Sequence, residues 1–113
     1  MPFIHVTTNL SVSDGAGEML KNQLGHAIAV IPGKNEDWLM VQLEDEARLW
    51  FAGSDAPAAM VRVDLFGGAR ADACDELTGR VTEILESVLD VEPQRVYVRY
   101  TETQDWGWNG RNF

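Results

Sequence analysis

Apolar residues run in short β-branched stretches at four places along the chain and recur at gaps of three and four at two others. The first stretch, Phe3-Ile4-His5-Val6-Thr7-Thr8, follows Met1-Pro2 and has the composition of an interior strand. Ser11, Ser13 and Asp14 then offer helix caps, and Ala16, Met19, Leu20, Leu24, Ala27, Ile28 and Ile31 mark one apolar stripe. This spacing predicts an amphipathic helix that runs to Pro32-Gly33. After the polar turn Lys34 to Asp37, Trp38 to Leu43 reads as a second strand. Glu44 to Arg48 returns the chain, Leu49-Trp50-Phe51 is short and apolar, and residues 52–57 form a loop.

The second half repeats this order. Ala59 to Phe66 is a third strand, with Val61, Val63 and Leu65 on one face and Met60, Arg62, Asp64 and Phe66 on the other. Gly67-Gly68 breaks it, and Asp72 is placed to cap a second helix bearing Ala73, Leu77, Val81, Ile84, Leu85, Val88 and Leu89 at helical spacing. Pro93 follows its end, and Arg95 to Thr101 reads as a fourth strand. The tail from Asp105 to Phe113 holds two tryptophans among glycines and asparagines and lacks the period of a packed element. The expected fold class is α+β: a duplicated β-α-β unit, about 2–57 and 58–113, in a single domain. Right-handed crossovers place both helices on one face of a four-stranded mixed sheet. The other face would be bare and rich in Ile, Val, Leu and aromatics, which predicts oligomerisation through it in a closed ring such as a trimer.

Composition narrows the classes. A net charge of −9 over 113 residues disfavours nucleic acid and anionic membranes as partners. Cys74 is the only cysteine, so an internal disulfide and a C-x-x-C exchange pair are both excluded, and a reducing compartment is the natural inference. The N-terminus has no signal-peptide pattern and no apolar run is long enough to span a bilayer. The expected location is cytoplasmic, any export following a route without a signal peptide.

Chemistry is concentrated at Pro2. A small second residue favours removal of the initiator methionine, which would leave a secondary amine on the end of an interior strand. An α-amino group titrates near ~8, and burial with cationic neighbours lowers that value, suiting it as a general base near neutrality. Retention of Met1 would turn the same nitrogen into an amide without basicity. His5 and His26 are lone residues without ligand spacing, so no metal is expected. Ser54-Asp55 has no histidine partner at a hydrolase spacing.

Several motifs stand in a recognisable order: Pro2 before an apolar strand ending in Thr8-Asn9; Gly33-Lys34; Phe51-x-Gly53-Ser54-x-x-Pro57; Phe66-Gly67; Arg95-Val96-Tyr97; and Trp106-Gly107-Trp108-Asn109-Gly110 before Phe113. With these the chain resembles the macrophage migration inhibitory factor branch of the tautomerase superfamily over nearly its whole length. The resemblance implies a homotrimer with active sites between subunits and an intramolecular isomerase of the phenylpyruvate tautomerase type, needing neither cofactor nor metal. Its substrate would be a small aryl 2-oxo acid. By resemblance Pro2 is the base and proton shuttle, Lys34 pairs with the substrate carboxylate, and Tyr97 reaches into a neighbour's cleft as a hydrogen-bond donor. Phe3, Trp38, Phe66, Trp106, Trp108 and Phe113 would wall the ring, with groups around Asp64 and Leu65 adding hydrogen bonds.

Each residue also has a plain structural reading: Lys34 as a solvated lysine after a helix, Tyr97 and the other aromatics as core. Departures from the family pattern carry their own expectations. Arg99 replaces a neutral amide and adds a second cation on the face of Tyr97, so an Arg-assisted hydratase or decarboxylase acting on a small carboxylic acid is an alternative. Asp64 replaces a histidine and stands beside Arg62 as an ion-pair candidate. Ala58-Ala59-Met60-Val61 replaces the C-x-x-C of animal relatives, so thiol chemistry is not carried over. The other class of function is a cytokine-like protein that binds a receptor and retains only vestigial activity; no receptor is readable in the chain.

Overall fold

A computed structural model describes the whole chain, residues 1–113. Four strands form one sheet: β1 (Pro2–Thr8), β2 (Met40–Glu44), β3 (Ala59–Phe66) and β4 (Val96–Thr103), in the order β2-β1-β3-β4. β1 is parallel to β2, β3 is parallel to β4, and β1 and β3 are antiparallel. Helix α1 (Asp14–Ala27) carries the chain from β1 to β2, and helix α2 (Ala71–Leu89) carries it from β3 to β4. The two halves therefore trace the same β-α-β path, joined through their first strands in an α+β fold. A short hairpin, β5 (Gly107–Trp108) with β6 (Arg111–Asn112), follows β4.

Period two decides which side of the sheet is buried. Ile4 and Val6 of β1 and Val61, Val63 and Leu65 of β3 point to the helices and are fully or almost fully buried. They meet Leu20, Leu24 and Ala27 of α1, Ile28 and Ile31 beyond it, and Leu77, Val81, Ile84 and Leu85 of α2 in one apolar cluster. The stripes at gaps of three and four are what let both helices bury a single face. Thr8 is the one buried polar residue, and its hydroxyl donates to Ala58 O at 2.8 Å.

Five local expectations are corrected. The first helix stops at Ala27 and tightens into a 3₁₀ turn over Ile28–Val30, while Ser13 supplies the cap by accepting from Ala16 N. Trp38 lies outside the second strand, in a 3₁₀ turn over Glu36–Trp38 started by the Asn35 side chain. Asp72 does not cap α2: Arg70 holds that position, and Asp72 sits in the first turn paired with it at 3.1 Å. Arg95 ends a 3₁₀ turn that begins at Pro93, whose fixed φ favours such a start, so β4 begins at Val96. The tail, read without any regular element, forms a short exposed hairpin, its Asn109-Gly110 turn having positive φ at both residues, the preferred chemistry of a two-residue hairpin.

The helix-free face departs furthest from expectation. It presents Phe3, His5, Thr7, Met40, Gln42, Glu44, Met60, Arg62, Asp64, Tyr97, Arg99 and Thr101. It is mixed and largely polar because the Ile, Val and Leu of the strands alternate towards the helices.

This division predicts unequal costs on adjacent strands. Ile4→Ala should lower unfolding free energy by about 2–5 kcal/mol, and Gln42→Ala on the open face by no more than about 0.5 kcal/mol. Urea unfolding measures both, and equal effects would contradict the assignment of faces.

Candidate active site

The start of β1 lies at the end of the sheet where β3 finishes. Pro2 is opposite Leu65, and Phe66 N donates to Met1 O at 3.0 Å, which holds the terminal residue against β3. Gly33, at φ +80°, turns the chain after α1, and Lys34 reaches back across the sheet end. Its ammonium donates to Phe66 O at 2.8 Å. The same ammonium lies beside the terminal amine, here carried by Met1. That amine is pushed down from 8.0 to about 6, mostly by withdrawal from water and then by a hydrogen bond with Lys34 and its positive charge.

A cavity of about 540 Å³ opens at this point, lined by Met1, Pro2, Phe3, Asp37, Trp38, Leu39, Met40, Trp106, Gly107 and Trp108. Trp38 and Trp108 of its lining continue into a chain of four aromatic rings, of which Phe113 and Phe66, both predicted for the wall, lie behind the lining rather than in it. Trp38 meets Trp108 edge-on at 5.1 Å, Trp108 stacks on Phe113 at 6.2 Å, and Phe113 lies 5.4 Å from Phe66. The 36–38 turn and the terminal hairpin thus supply an apolar wall, the usual surface for an aromatic ligand. The Glu36 side chain of this turn lies over Gly25 of α1, where a Cβ would come within 2.6 Å of Glu36 Cδ and displace only that carboxylate.

The remaining residues predicted for the site fall into two groups. Leu65 is buried in the core beside Pro2, and Asp64 is on the open face, 3.9 Å from Arg62. Tyr97 and Arg99 lie on the open face of the outer strand β4, away from Pro2 of the same chain. Pro2 pairs with Leu65, which pairs with Glu102, so Tyr97 lies five residues, roughly 17 Å, along the strand. It is 61% exposed and packs edge-on against Phe51 at 4.9 Å. Tyr100, on the other face of β4, is structural: its hydroxyl donates to Cys74 O and shares a hydrogen bond with Thr78.

Two motif residues have roles that sequence reasoning missed. Asn9 donates to Leu49 O, Asp55 O and Ala56 O and accepts from Ala58 N. Arg95 donates to Pro57 O, Phe51 O, Ser54 O and Ala56 O and lies over the Phe51 ring at 5.3 Å. Together they satisfy the carbonyls of an irregular loop and fix the ledge on which Tyr97 rests. A side chain with several donors next to a Gly-Ser-Pro loop is the signal available for this role.

Other titratable groups do not join the cleft. His5 pairs with Glu44 at 3.0 Å on the open face, and His26 lies in the last turn of α1. Burial, with Glu102 and Asp72 nearby, pushes the Cys74 thiol up, away from the thiolate form. No helix is long and apolar enough to cross a membrane.

A duplicated β-α-β sheet with its amino terminus set beside a lysine and an aromatic cavity is the architecture of the tautomerase superfamily. Comparison with known proteins agrees: the family model described as macrophage migration inhibitory factor (MIF) matches residues 1–113. The chain belongs to the macrophage migration inhibitory factor family. The crystal structure of Leishmania major MIF2 is similar at TM-score 0.94 and 33% identity, covering 100% of this chain and 97% of that one. Macrophage migration inhibitory factor of Meriones unguiculatus is 28% identical over 118 residues, covering 100% of this chain and 99% of its own. The Trichinella spiralis homolog is 24% identical over 115 residues, with both chains fully covered.

The lowered amine pKa has a testable consequence in protein that retains Met1. Lys34→Ala removes the hydrogen bond and the charge but leaves the desolvation, so the amine pKa should rise from about 6 part of the way to 8.0. The pH dependence of amine acylation reads this directly. Between those two values the unfolded chain holds a proton that the folded chain releases, so this group's contribution to stability increases with pH across the window and is lost below about 6.

Proposed function

We propose that the protein is a cofactor-independent keto-enol tautomerase of aryl 2-oxo acids such as phenylpyruvate, with Pro2 as general base once Met1 is removed. The observation that carries this reading is the terminal amine held near pKa 6 beside Lys34 at an aromatic cavity. Loss of Met1 moves the terminus by one residue, to a nitrogen at the same sheet end with the same ammonium nearby. A neutral secondary amine would take the proton from the carbon next to the keto group. The carbonyl oxygen becomes the enol oxygen as the electron pair moves, and return of the proton completes the isomerisation.

The other residues have matching tasks. The Lys34 ammonium would bind the substrate carboxylate, a charge-assisted contact. Phe3, Trp38, Trp106, Trp108, Phe66 and Phe113 would hold the aryl ring. A donor for the enol oxygen is the missing part within one chain. We assign it to Tyr97 of a neighbouring copy in a homotrimer, Arg99 on the same face supplying a second cation. The exposed, rigidly backed position of Tyr97 at the far end of the sheet supports a role across an interface.

The test is phenylpyruvate ketonisation by protein whose N-terminal mass is known. The Met1-free form should be active, with the rate rising with pH as the Pro2 amine, lowered by burial and the Lys34 charge, loses its proton. Pro2→Gly should lose activity by about 10²–10⁴-fold, and a form that retains Met1 should be inactive. Inactivity of protein with a confirmed free Pro2 would overturn the reading. The interface assignment has its own check. Pro2→Gly and Tyr97→Phe protomers, each weak alone, should recover part of the activity when reassembled together; no recovery would place Tyr97 outside the cleft.

A further inference from the structure

Of the ten residues that line the cavity beside Pro2, Asp37 alone has an ionisable side chain. Its carboxylate is exposed and makes no ion pair or hydrogen bond. Only its backbone N–H is engaged, donating to Asn35 Oδ1 at 2.9 Å. The next residue, Trp38, packs edge-on against Trp108 at 5.1 Å. The turn is therefore fixed at both sides of Asp37 while the charge it carries stays unneutralised.

Lys34, three residues earlier, is the cation closest in sequence, but it is drawn the other way. Its ammonium donates to Phe66 O at 2.8 Å and hydrogen-bonds the terminal amine. The cleft thus has a cation at the amine and a separate, free anion on the 36–38 turn. Other acids of the region are outside the lining: Glu36 lies over Gly25, and Asp64 is 3.9 Å from Arg62 on the open face.

We infer that Asp37 is a specificity-determining residue of this cleft, selecting aryl 2-oxo acids whose ring is uncharged or cationic and rejecting those whose ring carries a second acid group. The inference rests on the reading of the cavity as the 2-oxo acid site. The one carboxylate common to such substrates is met by Lys34. A second carboxylate would enter among Trp38, Trp106 and Trp108, which carry no positive charge, and would face Asp37. Two like charges at contact distance disfavour binding by about fivefold even in water. Rejection by an uncompensated charge is an ordinary source of specificity.

The test compares kcat/KM for the 4-carboxy and 4-trimethylammonio derivatives of phenylpyruvate, which keep the reacting group and change the charge of the ring. The cationic substrate should be preferred by about tenfold or more. The difference should fall in KM, because the ring charge is the same in ground state and transition state. Asp37→Asn should cut the preference about fivefold, and Asp37→Lys should cut it further. Glu83→Gln removes the same charge from an exposed position of α2 outside the cavity and should leave the preference in place. Calorimetric binding of 3-phenylpropionates with the same two substituents, which lack the keto group, should show the same order and the same dependence on Asp37. Turnover without a charge preference, or an equal response in Asp37→Asn and Glu83→Gln, would overturn the inference and leave the tautomerase reading standing. An unchanged preference in Asp37→Asn would also overturn it, its charge then being met by a cation of a neighbouring copy. Absence of turnover with the propionates still ranked through Asp37 would support the inference and overturn the tautomerase reading; absence of both turnover and binding would overturn the two together.

Discussion

The pairing of β1 with β3 is the constraint on which the rest of the molecule depends. It joins the two β-α-β halves and sets Pro2 opposite Leu65. It also brings Phe66 to the residue before Pro2. Because a one-residue slip in a sheet exchanges its two faces, the register of Ile4 with Val63 and Val6 with Val61 keeps the apolar set against the helices. The same register brings the terminal amine to the carbonyl that anchors Lys34. An ammonium fixed by Phe66 O at 2.8 Å cannot swing away, so the amine beside it avoids a second positive charge by releasing its proton. The low pKa therefore comes first from burial at the sheet end, to which the strand pairing adds the Lys34 hydrogen bond and charge.

The two ends of the sheet divide the labour. At the Pro2 end the side chains are aromatic or ionisable. At the other end Asn9 and Arg95 satisfy the carbonyls of the 49–57 loop, whose irregular backbone would otherwise leave acceptors unpaired. Several motif residues that make the chain resemble its family, Asn9, Phe51, Ser54, Pro57 and Arg95 among them, belong to this support. They carry the ledge beneath Tyr97.

The parts of the fold legible in the sequence were those governed by local period. Ala59 to Phe66 alternates cleanly, and its bounds and faces agree with the structure. Trp38 and Arg95 continue an apolar or strand-like run, so composition alone placed them in strands; Asn35 and Pro93 start turns that override it. The hairpin was legible in principle through Asn109-Gly110, but the two-residue strands on either side are too short to show a period. The polarity of the open face was present in Arg62 and Asp64. The Lys34–Phe66 contact was hidden for a different reason: it joins positions 32 residues apart, and no spacing rule reaches that far. Pro2 was legible as a candidate because its chemistry depends on residue type and position, while its neighbours depend on the completed sheet.

The aromatic wall is best understood as one cooperative unit. A hairpin of two residues per strand has little stability of its own, so its position rests on contacts with the body of the protein. Trp38 against Trp108 and Phe66 against Phe113 supply them from two separate elements, the 36–38 turn and the end of β3. Trp108 and Phe113, nearly parallel with an interplanar angle of 3°, tie these contacts together. The 36–38 turn and the hairpin are thus held together by ring packing. Phe66 joins this chain of rings to the lysine, giving its ring to Phe113 and its carbonyl to the Lys34 ammonium.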